Sequence, residues 1–331
     1  MSDKTRVAFV GTGGIADAHL KGLSNHLDVT LVAFCDVNSA RAEAVAAQHG
    51  GKAFIDAATM FDAIAIDAVY FCLPPFAHGS EMAAVERGIP LFVEKPVDLD
   101  LDRARRLDAA IASKGLITTT GYMNRYRRSV NTVRELLATD PAIFVTGGWI
   151  TGTPANHPWW TKRDKSGGQF HEQVSHTVDL VRYLCGEVVE VHAMAATGMN
   201  LSAPAGYNID DASIVSLRCA SGAVATLWGS CIANAGGGGI TLNVYAHGTT
   251  AAFTGWEQTL RLRRTGQDTL EIEGEPDIFA IEDAAFIRAV RQKDPTGVRA
   301  TYRDGLKAIE ISLGALESAR TGIPVHLGGK A

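Results

Sequence analysis

Residues 6–16, Arg-Val-Ala-Phe-Val-Gly-Thr-Gly-Gly-Ile-Ala, constrain this chain more than any other stretch. Val7 to Val10 is a short apolar run suited to a buried strand of a parallel sheet. Gly11, Gly13 and Ala16 then occupy the small-residue positions of G-x-G-x-x-G/A, with Thr12, Gly14 and Ile15 between them. Gly11 permits a tight turn, Gly13 lets a pyrophosphate approach the backbone, and Ala16 lets the next helix pack on the strand. The N–H groups opening that helix, Asp17 to Leu23, would face the phosphates. Such a turn is also used purely structurally. Here, though, a second apolar run, Val29 to Cys35, ends in Asp36, about 20 residues past the glycines, where an acid would hold the adenosine ribose hydroxyls.

Repeated strand and helix signals continue to Thr120. Asn38 caps a predicted helix ending at His49, stopped by Gly50 and Gly51. Ala53–Ile55, Ala68–Cys72, Ile89–Glu94 and Leu116–Thr120 read as strands, and Thr59–Ile64, Ala77–Arg87 and Leu101–Ser113 as helices. The units imply an α/β fold with a doubly wound parallel sheet, which binds ligands beyond the carboxyl ends of its strands. Gly11–Gly14, Asp36, Leu73–Pro75 and Glu94–Pro96 then become neighbours. Leu73-Pro74-Pro75 reads either as a strand terminator or as a wall beside a nicotinamide, and His78 either as a helix cap or as a ribose contact. Glu94-Lys95-Pro96 puts an acid and a base at the end of a buried strand, where charge is costly unless paired or used. A surface ion pair is one reading, and a lysine tuned for proton transfer the other.

In the second half, Arg128–Leu137 reads as a helix and Ile143–Thr151 as a strand. Gly152 to Gly168 is a long irregular stretch with adjacent Trp159 and Trp160, which would serve as sugar-stacking faces or core anchors. Phe170 to Leu184 reads as one helix, with Glu172, His176, Asp179 and Tyr183 on one face and Gly167-Gly168 freeing its start to approach a ligand. Metal binding is not expected. His171-Glu172 opens an HExxH pattern, but position 175 is Ser, and His171 and His176 point about 140° apart on a helix. Val188–Ala196, Ala212–Arg218 and Ala223–Ile232 alternate as strands of an open antiparallel sheet, with Ser221-Gly222 as a hairpin. After the Gly236–Gly239 bend comes Ile240–Ala246, and Trp228 and Tyr245 are expected on the sheet face away from the helices. Asp283–Gln292 and Tyr302–Arg320 are the last predicted helices.

Composition narrows the partners. A net charge of −5 without a basic block disfavours nucleic acid and anionic membranes. No apolar run approaches the ~18 residues of a membrane span, and residues 1–6 carry no signal-peptide pattern, so a cytoplasmic location is expected. Five scattered cysteines, 35, 72, 185, 219 and 231, read as apolar packing residues in a reducing compartment.

The glycine turn, the acid at 36, Cys72-Leu73-Pro74-Pro75-Phe76-Ala77-His78 and Glu94-Lys95-Pro96, in that order, resemble the glucose–fructose oxidoreductase / inositol dehydrogenase (Gfo/Idh/MocA) family of nicotinamide-dependent sugar and polyol dehydrogenases. Gly167 to Asp179 resembles the family's G-G-x-x-x-D-x-x-x-H-x-x-D signature, with Glu172 where an aspartate is usual and Gln169 where a third glycine often stands. The resemblance spans nearly the whole chain. It implies a dinucleotide-binding (Rossmann) domain over residues 1–123. A substrate-binding and oligomerising α+β domain with a large, mostly antiparallel sheet would follow over 124–331, its last helix packing back on the first domain.

The resemblance also implies roles. Lys95 would contact nicotinamide ribose and substrate, and His176 would be the acid/base for a ring hydroxyl of a sugar or cyclitol. Asp179 would orient or ligate, and Glu172 would place the substrate. The proline after that lysine often follows a cis peptide bond. The segment Gly121-Tyr122-Met123-Asn124-Arg125-Tyr126 resembles the crossover lying near the nicotinamide, so Asn124 is expected at the cofactor and Tyr122 at the substrate, with Trp160, Gln169 and Gln173 shaping that pocket. Asp36 favours NAD over NADP, and Arg41 one helical turn on leaves NADP open. The expected partners are a small sugar or polyol and further copies of the chain, as a homodimer or homotetramer through the C-terminal sheet. A cofactor-binding regulator without turnover, and an enzyme that retains NAD and uses transient oxidation for epimerisation or glycoside cleavage, are the alternatives.

Overall fold

The protein is described from a computed structural model covering residues 4–154 and 157–328. Positions 1–3, on which part of the signal-peptide reading falls, and 155–156 of the irregular stretch lie outside the described residues. The chain forms two compact units. One comprises the described residues of Met1–Met123 with Asp277–Leu306, the other those of Asn124–Pro276 with Lys307–Ala331.

In the first unit, strand–helix repeats run β1 (Thr5–Val10), α1 (Gly14–Leu23), β2 (Val29–Cys35), α2 (Ser39–His49), β3 (Lys52–Phe54), α3 (Ala57–Ala63), β4 (Ala68–Phe71), α4 (Glu81–Glu86), β5 (Leu91–Val93), α5 (Leu101–Lys114) and β6 (Thr118–Thr120). Asn38, Asp56 and Asp100 accept backbone N–H groups of the first turns of α2, α3 and α5, supplying the caps those helices need. The strands pair in parallel in the order β3-β2-β1-β4-β5-β6, so the order switches between β1 and β4. The core stacks Phe9 on Tyr70 at 4.9 Å and Tyr70 on Phe92 at 4.6 Å. Phe286 and Ile287, from the helix Ile278–Gln292, close over the same cluster.

One predicted helix of this unit is corrected. In place of the helix expected over 77–87, a 3-10 turn at Pro75–Ala77 is followed by the short α4, because His78 is extended and Gly79 sits at φ +147°. Glu81 consolidates the break by accepting the Gly79 N–H at 2.7 Å.

The second unit adds α6 (Arg128–Leu137), β7 (Phe144–Ile150), α7 (Arg163–Ser166), α8 (Gln169–Glu172), α9 (Ser175–Cys185), β8 (Val188–Ala196), β9 (Ala212–Cys219), β10 (Val224–Ser230), β11 (Gly239–Tyr245), β12 (Thr249–Thr254), β13 (Thr259–Arg264), β14 (Leu270–Ile272) and β15 (Val325–His326). Among the described residues the sheet has nine strands, ordered β14-β13-β12-β11-β7-β10-β9-β8-β15, antiparallel except for β7 beside β10. The two-sheet α/β expectation therefore holds, with β12 to β15 and the one parallel pair added to it. Alternation explains the layering. Val145, Val215, Leu217, Leu227, Leu242 and Val244 face Val130, Val133, Val178 and Val181 of α6 and α9. The opposite face carries a row of register partners, Met194, Ile214, Trp228, Gly148 and Thr241. Trp228 lies across Gly148, where a Cβ would collide with it, and Tyr245 stacks on Phe144 at 5.9 Å.

Candidate functional site

The glycine turn is built from local necessity. Gly11 has φ +86°, and a Cβ there would press on the Cys72 carbonyl and lie 3.0 Å from Leu73 Cδ2. Its N–H donates to Cys35 O at 2.8 Å, so the ends of β1, β2 and β4 meet at this residue. Thr12 donates its N–H and its hydroxyl to Asp36 Oδ2, both at 3.0 Å, while Asp36 Oδ1 accepts the Asn38 N–H. Gly13 precedes the first turn of α1 and Ala16 is fully buried beneath it. Space around the turn is open. A Cβ on Gly14 would have no neighbour within 4 Å, and one on Gly13 only Arg41 Nη1 at 4.0 Å. A Gly-rich turn with room above it and a helix opening into it fits a dinucleotide pyrophosphate.

Leu73 and Pro74 are half-buried beside this turn. His78 is buried against Glu81, Nδ1 to Oε1 2.6 Å. Burial alone would push the Glu81 carboxyl up, but His78 and two backbone N–H groups hold it below the ordinary range.

Glu94 follows β5 and its N–H donates to Phe71 O. Its carboxylate is buried and shared. Oε2 accepts the Lys95 N–H at 2.9 Å, and Oε1 meets His19 Nε2 at 3.0 Å. The other ring nitrogen of His19 meets Asp283 Oδ1 at 2.8 Å. His19 is fully buried. Burial would lower its pKa, but the Asp283 and Glu94 carboxylates more than offset this and raise it well above the ordinary value. Burial pushes the Asp283 carboxyl up while His19 pulls it back, so the three groups are best described as an imidazolium bridging two acids. The Lys95–Pro96 peptide is cis, and Lys95 is half-buried. Gly121 closes the arrangement, since a Cβ there would run into the Glu94 carboxylate. We therefore expect Gly121→Ala to displace Glu94 and cost about 1–3 kcal/mol in urea unfolding. Unchanged stability would contradict this packing.

In the second unit the single helix expected from Phe170 to Leu184 is two. Val174 N bonds back to Gln169 O, and His176 N to Gln173 O rather than to Glu172 O. The cause is Gln169, whose amide donates to Trp149 O at 3.0 Å and Ser230 O at 2.9 Å, tying the short α8 to the ends of β7 and β10. The regular face linking Glu172 to His176 is therefore interrupted, whereas His176, Asp179 and Tyr183 share α9. The approach expected at Gly167 is also corrected. Gly167 has φ +72°, and a Cβ there would lie 2.8 Å from the His171 ring, which covers it and pairs with Ser312 Oγ at 2.8 Å.

Glu172 Oε2 accepts the Trp160 indole N–H at 2.8 Å, and Trp160 is buried with Ile209 and Cys231. Asp179 is buried and clasped by both arms of Arg125 at 2.7 and 2.9 Å. The guanidinium of Arg125 lies 4.8 Å over the Tyr183 ring. Tyr122 is buried, and Asn124 Oδ1 accepts from Arg127 Nε at 2.7 Å. His176 is 6% exposed and has two indole neighbours that the sequence reading missed, Trp149 at 6.4 Å and Trp256 at 5.9 Å between ring centroids. Only their aromatic character signalled them. Gln173 adds a longer contact to Gln169, at 3.4 Å.

The site residues thus gather into two groups. The first unit brings together Gly11 to Ala16, Asp36 and Leu73, with Glu94 and Lys95 at the neighbouring strand end. The second brings together Trp160 with Glu172, and His176 with Asp179 on one helix. Among the described residues no cluster of three His, Cys, Asp or Glu is placed to hold a metal, and no helix is long and apolar enough to cross a membrane. The five cysteines are buried thiols, with burial first among the causes pushing Cys35 and Cys219 to about 11.

A doubly wound parallel sheet, six-stranded among the described residues, with an open glycine turn, followed by a unit built on a large sheet, defines a two-domain NAD-binding oxidoreductase. Residues 5–122 match the model of the oxidoreductase family with an NAD-binding Rossmann fold, and residues 143–254 that of the GFO/IDH/MocA C-terminal domain. The chain belongs to the GFO/IDH/MocA oxidoreductase family. It is 31% identical over 220 residues to an inositol 2-dehydrogenase of Rhizobium meliloti, covering 66% of each chain. It is 27% identical to the NAD-dependent scyllo-inositol 2-dehydrogenase of Bacillus subtilis, covering 99% of this chain and 97% of that one. Levoglucosan dehydrogenase in complex with NADH and L-sorbose shares the fold, with a TM-score of 0.88 at 19% identity over 99% and 100% of the two chains.

Proposed function

We propose that the protein oxidises a ring hydroxyl of a sugar, sugar derivative or cyclitol, or carries out the reverse reduction. The observation that carries this reading is that the chain has both an intact nucleotide turn with a lysine at the neighbouring strand end in one unit and a nearly buried histidine on a helix of the other. Lys95 sits at the strand end beside that turn, and a nearly buried His176 is held on α9. Bound NAD supplies the hydride acceptor. His176 takes the hydroxyl proton as hydride leaves carbon, and Lys95 stabilises the developing alkoxide and relays the proton. Glu172, fixed by Trp160, orients the substrate, and Asp179 with Arg125 sets the helix that carries His176. Asn124, Tyr122, Leu73, Pro74 and His78 complete the expected surroundings.

Asp36 supports a preference for NAD, because a 2′-phosphate beside a carboxylate is repelled. Arg41, over Gly13, is the feature that would allow NADP. The row from Met194 to Thr241 on the outer sheet face supports assembly into a homodimer or homotetramer. A panel of cyclitols, pyranoses and sugar acids, read by NADH formation, tests the reading, and titration is expected to show tighter binding of NAD than of NADP. Firm NAD binding without NADH or product from any member would favour a regulator. Product without net NADH would favour a retained-cofactor epimerase or glycoside-cleaving enzyme.

A further inference from the structure

Trp256 is a large aromatic side chain left 43% exposed beside a nearly buried histidine. Its ring meets the His176 imidazole edge-on at 84°, and Trp149 lies 6.0 Å from it, so the two indoles and the imidazole form one cluster. The backbone beneath Trp256 is clamped. The turn between β12 and β13 uses Gly255 at φ +73° and Gln258 at φ +54°, a left-handed conformation that a side chain other than glycine seldom adopts. Gln258 is buried and bonds through both its N–H and its side-chain amide to Gly255 O. Arg127, fully buried, donates to Trp256 O at 3.1 Å and Glu275 O at 2.9 Å while its Nε holds Asn124. Burying an arginine and straining a backbone is costly, and here both costs fix the position of an exposed indole.

We propose that Trp256, backed by Trp149, is a specificity-determining wall that selects ring-shaped polyols by stacking on their C–H face while His176 meets the hydroxyl. The inference rests on the acid/base reading of His176. A pyranose or cyclitol presents a flat patch of C–H groups to an aromatic face. An open-chain polyol has no such patch and loses rotational freedom on binding. The pre-set indole therefore favours the ring without needing a charge on it.

The test compares wild type with Trp256→Ala and Trp256→Tyr in the full chain, using the best cyclic substrate of the panel and sorbitol as the open-chain probe. Trp256→Ala is expected to raise KM for the cyclic substrate about tenfold, the loss of about 1.4 kcal/mol, with kcat and NAD affinity little changed. Trp256→Tyr restores most of the affinity, and KM for sorbitol stays level, so the cyclic preference collapses about tenfold in the alanine variant. Equal KM values in wild type and Trp256→Ala, equal losses for both substrate shapes, or conversion of an oligomer to monomer by Trp256→Ala would each overturn the proposal. An inactive His176→Ala beside an unaffected Trp256→Ala defeats the wall alone, and an active His176→Ala defeats the site reading. Should wild type turn nothing over, calorimetric titration with myo-inositol in the presence of NAD decides. Binding weakened about tenfold in Trp256→Ala supports the wall, and equal affinity in the two proteins or no binding to either overturns it.

Discussion

His176→Ala and Lys95→Ala are each expected to lose about 10²–10⁴-fold in turnover while retaining NAD affinity. Both side chains stand where their removal disturbs chemistry more than structure. Lys95 is anchored through its N–H by Glu94, so truncating its side chain leaves the strand end in place. His176 is held by its helix, whose neighbouring Asp179 is independently clasped by Arg125. In the proposed mechanism, loss of the imidazole would remove the group that takes the hydroxyl proton, and loss of the ammonium would leave the developing alkoxide unstabilised. Steady-state kinetics against the best substrate, with NAD binding measured separately, checks both. Normal turnover by either variant would defeat the assignment.

The second large effect is on stability. Replacing His19 with Leu leaves Glu94 and Asp283 buried without their shared cation, a change expected to cost about 3–5 kcal/mol in urea unfolding. The dependence on pH follows from the raised pKa. His19 contributes fully below its unfolded value of about 6.5, and the contribution is lost as pH rises through the higher folded value. The gap between wild type and His19→Leu should therefore be widest in mildly acidic solution and narrow in alkaline solution. Equal unfolding midpoints near neutrality would show that the bridge is energetically idle.

What could be read from the sequence was what neighbours along the chain decide. The strand–glycine–helix turn, the Asn38 cap and the Ser221-Gly222 hairpin rest on residues a few positions apart. The same holds for the alternation that sends Trp228 and Tyr245 to one face and Leu227 and Val244 to the other. The break after Glu172 was not legible, because the Gln169 amide that causes it bonds to carbonyls 20 and 61 residues away. His19 looked like an ordinary helix residue. Its partners are 75 and 264 positions distant, and only folding reveals three ionisable groups in contact. Trp256 lies in the turn between β12 and β13, and its ring neighbours Trp149 and His176 are 107 and 80 positions away in the chain, so nothing local announces the cluster.

The first unit is discontinuous, and this bears on how the polypeptide is made. Asp283, Phe286 and Ile287 leave the ribosome after the whole of the nine-stranded sheet except β15, yet they complete the aromatic layer of Phe9, Tyr70 and Phe92 and neutralise His19. A nascent nucleotide-binding unit must therefore wait, its apolar layer uncovered, for more than half the message to be translated. A fragment engineered to stop at Met123 would lack its own closing helix, and a graft of this unit onto another protein would have to carry Asp277–Leu306 with it.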